Sequence, residues 1–237
     1  MGAGTLSGRH ALITGGVGSI GRALATSFAA AGAQVTVLDR PEATDPAEHG
    51  WLGVDLNDLA TAQARVAAAA PFDILVNNAA LIINKPFEDF SLEEYETQIR
   101  VNSSAVFALT RACAPAMKAK GWGRIINLTS LTMNGQWEGF VPYVASKGAM
   151  LGLTKGLARE LGVHGITVNA IAPGAVVSEA ESRVFAERLA QYDQWVTKRQ
   201  CLKSRIQPQD VANLAVFLAS DAARMITGQN IGIDGGW

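Results

Sequence analysis

Short, uniformly apolar runs alternate along this chain with longer stretches of helical period, and a polypeptide patterned that way has few ways to fold. The runs His10–Thr14, Gln34–Leu38, Asp73–Val76, Arg124–Leu128, Thr167–Ile171 and Asn230–Ile233 read as strands, with Trp51–Val54 as a weaker seventh. Most are continuously apolar rather than alternating, the pattern of strands covered on both faces in a parallel sheet. Helical stretches lie between them: Ile20–Ala31, Leu59–Ala70, Leu92–Lys120 (read as two helices), Tyr143–Leu161, Glu181–Lys198 and Pro208–Ser220. Right-handed crossovers then give an α/β fold, a doubly wound, mostly parallel seven-stranded sheet with helices on both faces. One crossover departs from the rule. From Arg40 to Gly50 the chain carries two prolines and no apolar period, so the helix between the second and third strands is expected to be short or absent.

Composition supports one large domain. The 237 residues are 49% hydrophobic and 17% charged, enough for a substantial core, and no repeat, linker or shift in composition divides them. The expectation is a single domain over 1–237 with a substrate flap over 178–206. A net charge of −1 argues against nucleic acid or an anionic membrane as partner. Cys113 and Cys201 form no C-x-x-C pair, and His10, His49 and His164 are scattered, so neither a disulfide framework nor a metal site is expected. Met1–Gly8 lacks an apolar signal core and no run is long enough to span a membrane, which fits a reducing cytoplasmic setting.

After the first strand comes Thr14-Gly15-Gly16-Val17-Gly18-Ser19-Ile20-Gly21, opening a helix. Glycines permit a tight turn and close backbone approach, and the helix N-terminus offers free N–H groups to a pyrophosphate. Asp39 ends the second strand, eighteen residues past Gly21. A carboxylate there accepts hydrogen bonds from the adenosine ribose hydroxyls and repels a 2′-phosphate, favouring NAD over NADP. Arg40 beside it pulls the other way. The turn, the helix and the acidic strand end together point to a Rossmann-type dinucleotide site.

Tyr143 and Lys147 are four residues apart on one helix face. Tyrosine is a poor acid/base catalyst near neutrality, and a nearby ammonium is expected to lower its pKa. Ser130 lies thirteen residues before Tyr143, at the carboxyl end of a strand, where open α/β sheets bind ligands. Asn102 is a polar amide inside the helical stretch Glu94–Lys118, where it needs a task or a core partner.

The chain resembles the short-chain dehydrogenase/reductase family over nearly its whole length. The resemblance rests on the TGGVGSIG turn, Asn77-Asn78-Ala79-Ala80, Asn102, Ser130, the YVASK segment from Tyr143, Pro173-Gly174 and the ITGQNIGIDGG tail. It implies Tyr143 as general acid/base, Lys147 lowering its pKa and holding the nicotinamide ribose, and Ser130 orienting the substrate oxygen. Asn102 would hold a water in a proton relay. Cofactor contacts are implied for Gly15, Gly18, Ser19, Ile20, Gly21, Asp39, Arg40, Asp55, Leu56, Asn78, Ala79, Tyr143, Lys147, Pro173, Gly174, Val176 and Ser178. Ser19 and Ala80 replace glycines usual in the family, and Thr129 is an alternative hydroxyl to Ser130.

Trp137 and Glu138, with Ser130 and Tyr143, are expected to line the substrate pocket, and the apolar stripe of 181–198 reads as a lid over it. Small residues Ala145, Ala149, Gly152 and Gly156 face one side of the Tyr143 helix, and the resemblance implies a homotetramer. The expected activity is NAD-dependent hydride transfer between nicotinamide and a small or medium secondary alcohol, sugar or polyol. The alternatives are an NADPH-dependent 3-oxoacyl-thioester reductase and a non-catalytic dinucleotide sensor.

Overall fold

A computed structural model describes residues 4–43, 48–135 and 137–237, and for Glu187 the backbone alone. Seven strands form one parallel sheet: β1 (His10–Thr14), β2 (Gln34–Asp39), β3 (Gly50–Gly53), β4 (Ile74–Asn77), β5 (Gly123–Leu128), β6 (Ile166–Pro173) and β7 (Asn230–Ile233). Their order is β3-β2-β1-β4-β5-β6-β7. The sheet reverses its winding between β1 and β4, and ligands bind at such a switch point beyond the strand carboxyl ends.

The continuous apolar runs have a direct explanation. In β1, Ala11 and Ile13 pack with helices α1 (Ser19–Ala30) and α8 (Pro208–Ala219), while Leu12 packs on the other face against α2 (Leu59–Ala69) and the long helices. From Ala11 to Thr14 every residue of β1 is buried, whichever face it points to, so no polar alternation survives.

Two elements differ from the sequence reading. Leu92–Lys120 is one continuous helical rod rather than two helices: α3 (Leu92–Ile99), a π turn over Arg100–Ser104, then α4 (Ala105–Lys120). The Ala105 N–H reaches back to the Arg100 carbonyl, so the extra residue is absorbed without a break. The stretch 181–198 is instead divided, into α6 (Glu179–Phe185), a 3-10 turn Ala186–Arg188 and α7 (Leu189–Arg199). Ala186 there has φ of 32°, which no helix continues through. Among the described residues no helix joins β2 to β3, as the prolines foretell; 44–47 lie outside them. The remaining long helix is α5 (Val141–Leu161).

Candidate active site

A cleft of ≈1100 Å³ runs along the carboxyl ends of the strands, from Asp39 and Arg40 past the glycine turn to Ser130, Tyr143 and Lys147. Every expected cofactor residue lines it: Gly15, Gly18, Ser19, Ile20, Gly21, Asp39, Arg40, Asp55, Leu56, Asn78, Ala79, Tyr143, Lys147, Pro173, Gly174, Val176 and Ser178. Trp137 lines it too.

The glycine turn is packed so that side chains are excluded behind it and space is left in front. A Cβ on Gly21 would lie 2.1 Å from the Gly15 carbonyl oxygen, and one on Gly15 would meet Ala79 Cα at 2.8 Å. At Gly18 the nearest atom would be 3.6 Å away, so this residue faces the open cleft at the start of α1. Ser19 in place of glycine causes no crowding: its hydroxyl accepts the Glu179 N–H at 3.2 Å. Arg22 meets the Glu179 carboxylate, tying α6 to the first turn of α1. These features fit a dinucleotide, with backbone close enough to approach a pyrophosphate and N–H groups facing it.

Thr14, assigned no separate task above, organises this turn. Its hydroxyl accepts the N–H groups of Asn78 and Ala79, both at 3.0 Å, binding β4 to β1 at the switch point. The Asn78 amide donates to the carbonyls of Thr14 and Gly15 at 2.9 and 3.0 Å. Only a strand-end hydroxyl next to the first glycine signals this role, and that signal needs the β1–β4 pairing to be read.

Asp39 reaches the turn from β2. Its Oδ2 accepts the Val17 N–H at 3.0 Å and its Oδ1 accepts the Arg40 N–H at 2.9 Å. Each oxygen keeps a lone pair for a ribose hydroxyl. The Arg40 guanidinium is exposed and pairs with Glu42 at 3.5 Å. Asp55 holds the Asn57 N–H at 2.8 Å in a local turn below.

At the other end, α5 begins with Pro142, preset for a first helical turn, and delivers Tyr143 and Lys147 inward. Lys147 is 1% exposed, and its Nζ donates to the Leu128 carbonyl at 2.6 Å, fastening α5 to the end of β5. The amine lies 5.4 Å from the Tyr143 ring centre. Ser130 caps a 3-10 turn, its Oγ accepting from Thr132 N at 3.1 Å.

The expected lowering of the Tyr143 pKa is not what the folded chain shows. Burial pushes the phenol up to about 12, opposed by hydrogen bonding to Ser130, and burial brings the Lys147 amine down to about 7. Desolvation penalises both charged forms, so the amine, less readily protonated than a free lysine, pulls less on the phenol.

Asn102 and Glu138 stand apart from the cleft wall. Asn102 is fully buried in the π turn; its Oδ1 accepts the Leu81 N–H at 2.7 Å, and its Nδ2 donates to the Leu81 carbonyl at 2.9 Å and to Ser146 Oγ at 3.0 Å. The side chain thus joins the β4 loop to α5. Glu138 is exposed, contributing only its carbonyl to Asn84 Nδ2 at 3.1 Å. Thr129 is no substitute for Ser130, because its hydroxyl donates to the Ile171 carbonyl at 3.0 Å and to Asn230 Oδ1 at 2.7 Å.

Residues the sequence reading missed line the substrate end: Ile82, Asn84 and Thr97 beyond β4, and Glu181 and Arg183 from α6; Tyr192 of α7, part of the apolar stripe of 181–198, joins them. Glu181 is buried against Arg205 at 2.5 Å, and desolvation raises its pKa despite that partner. Position beyond the end of β4 was the available signal for the first three.

The family model described as Enoyl-(acyl carrier protein) reductase matches residues 16–237. Gluconate 5-dehydrogenase of Gluconobacter oxydans is 34% identical over 98% of this chain and 95% of its own length. D-xylose 1-dehydrogenase of Caulobacter vibrioides is 35% identical over 98% and 97%. A solved structure described as an NAD(P)-dependent gluconate 5-dehydrogenase from Beutenbergia cavernae, with NADP at low occupancy, superposes with a TM-score of 0.91 and 36% identity, covering 100% of this chain and 99% of that one. The chain belongs to the short-chain dehydrogenase/reductase family, as an oxidoreductase acting on CH–OH groups through a nicotinamide dinucleotide.

Proposed function

We propose that this chain is an NAD-dependent dehydrogenase of a sugar or polyol secondary alcohol, with Tyr143 as the acid/base group. The observation that carries the reading is the meeting, in one cleft, of the Ser130–Tyr143 hydroxyl pair and the Lys147 amine with the glycine turn and the Asp39 carboxylate. When bound, the nicotinamide accepts or returns the hydride. Ser130 and Tyr143 hold the substrate oxygen between two hydroxyls, and Tyr143 takes or gives the proton on that oxygen. Lys147, already anchored on Leu128, faces the cofactor ribose. Asn102 acts at a distance, setting the Leu81 loop against α5. Asp39 clamps the adenosine ribose, which favours NAD.

The chain forms one domain whose segment 178–206 covers the substrate. The outward faces of α4 and α5 support assembly with further copies into a homotetramer. Ala145, Ala149, Gly152 and Gly156 are all exposed rather than packed on their own sheet, and a Cβ at either glycine would meet nothing within 4 Å. Phe107, 48% exposed, lies in the same groove. No helix among the described residues is long and apolar enough to cross a membrane, and a cytoplasmic location suits the free thiols.

Purified chain supplied with NAD or NADP and a panel of sugars and polyols should form reduced nicotinamide, faster with NAD. Tyr143→Phe should abolish turnover and keep dinucleotide binding. Full activity in that variant refutes the assignment of the acid/base group. A preference for NADP would mean that Arg40 outweighs Asp39, and would favour a reductive role.

A further inference from the structure

Three tryptophans from distant segments close into a triangle beside the catalytic loop. Trp137 lies between β5 and α5, Trp195 on α7 and Trp237 beyond β7. Trp137 stacks on Trp237 with ring centres 4.9 Å apart and 26° between planes. Trp195 meets Trp137 edge-on at 5.6 Å and Trp237 at 5.2 Å. Arg199 lies 4.0 Å above the Trp195 ring. Of the three, only Trp137 lines the cleft, beside Phe140, which is 6.2 Å from the Tyr143 ring.

Two hydrogen bonds hold the backbone just after Trp137, Asn84 Nδ2 to the Glu138 carbonyl at 3.1 Å and the Lys85 N–H to the Gly139 carbonyl at 3.2 Å, and neither reaches the indole. Gly135 and Gly139 on either side have φ of 72° and 82°, and the residues between them form neither helix nor strand among those described. Packing against Trp195 and Trp237 therefore sets where the Trp137 face stands. Its indole N–H is buried without a hydrogen-bond partner among the described residues. Buried donors are rarely left so, and an oxygen arriving with substrate would satisfy this one.

Resting on the sugar or polyol reading above, we propose that Trp137 is the wall of the substrate subsite and that its occupant is a cyclic sugar, an aldose in its hemiacetal form. A fixed indole face matches the flat C–H face of a sugar ring and buries both from water. An open-chain alditol presents no such face and must freeze several rotors to lie against it. The reaction is then oxidation at C1. The C1–H bond breaks with its hydride passing to the oxidised nicotinamide, the O1–H proton passes to the Tyr143 oxygen in its ionised form, the phenol proton having first left to solvent, and C1=O forms, giving the lactone.

The test uses C5 and C6 aldoses, each with its matched alditol and aldonate, on wild type, Trp137→Phe and Trp137→Ala. The best substrate should be an aldose. Trp137→Ala should raise its KM by about tenfold, the loss of one good aromatic contact, with kcat changed less. Trp137→Phe keeps a face and loses the N–H, and should fall between. Dinucleotide affinity should be the same in all three, which shows that the site still folds. In a Tyr143→Phe background, titration with that aldose should perturb tryptophan emission, and adding Trp137→Phe should remove the change. The proposal is overturned if an alditol or aldonate is preferred, if no aldose is turned over, or if the KM is unmoved by Trp137→Ala. Turnover of an alditol with unaltered Trp137 variants would remove the wall and leave the dehydrogenase reading standing. Absence of any dinucleotide binding would remove both.

Discussion

Replacing Lys147 with methionine should make the ligand-free chain more stable while it destroys activity, by an amount that depends on pH in a defined way. The amine is 1% exposed, with burial bringing its pKa from 10.5 to about 7. At about 1.4 kcal/mol per pH unit, that gap corresponds to roughly 5 kcal/mol between a protonated and a neutral amine in the folded chain. A depressed folded-state pKa contributes stability that is complete above the unfolded value and is lost as pH falls through the folded one. Wild type should therefore gain stability from pH 7 towards pH 10, and Lys147→Met should lack that slope. Loss of the hydrogen bond to the Leu128 carbonyl subtracts about 1 kcal/mol from the variant at every pH. Urea unfolding of both proteins at pH 6, 8 and 9.5 measures the difference. The variant should lead by several kcal/mol at pH 6, with the lead shrinking as pH rises. Parallel pH profiles would refute the reasoning, since they would mean that the amine stays equally protonated in the folded and unfolded chains.

Other substitutions test the remaining parts of the site. Asp39→Ala should weaken NAD binding by about tenfold, the loss of one good charged hydrogen bond, and shift preference towards NADP, as titration with each dinucleotide would show. Ser130→Ala should lower kcat by about a hundredfold or more with dinucleotide affinity unchanged, measured by steady-state kinetics and titration. Asn102→Ala removes the partners of the Leu81 N–H and carbonyl and one donor to the Ser146 hydroxyl, which keeps its bond to the Tyr143 carbonyl, and should destabilise the chain by about 2–5 kcal/mol in denaturant unfolding. Asn102→Asp, which keeps an acceptor for Leu81 and loses the two donations, should fall between.

The sheet could be read from the sequence to within two residues at the end of each strand, because burial on both faces leaves a continuous apolar run in the inner strands. The side chains proposed for catalysis were legible for a related reason: Tyr143 and Lys147 are helix neighbours, and Ser130 ends a strand. What was hidden depended on contacts between distant segments. The π turn is invisible in the period of 92–120, since inserting one residue into a rod of mixed apolar and small side chains leaves no clear phase shift. The break between α6 and α7 was masked by an unbroken stripe of apolar residues running through Ala186. The pKa of Tyr143 followed from burial, which spacing does not report. Arg205, a cation far along the chain, gave no hint that it would meet Glu181 beside the cleft.

The segment between β6 and α8 has both its ends fastened to each other. Val176 bridges Ile206 and the Val177 N–H reaches the Ile206 carbonyl at 3.0 Å, so everything between departs from and returns to one point just past the end of β6. Its closure cost is met at that junction and grows only slowly with the length of what it encloses. A lineage could therefore lengthen, shorten or exchange the whole of 178–206 as a cassette, altering which molecules are admitted while the strands, the glycine turn and the Tyr143 helix keep their places. The seam at Val176 and Ile206 is where a chimera of two relatives should be cut.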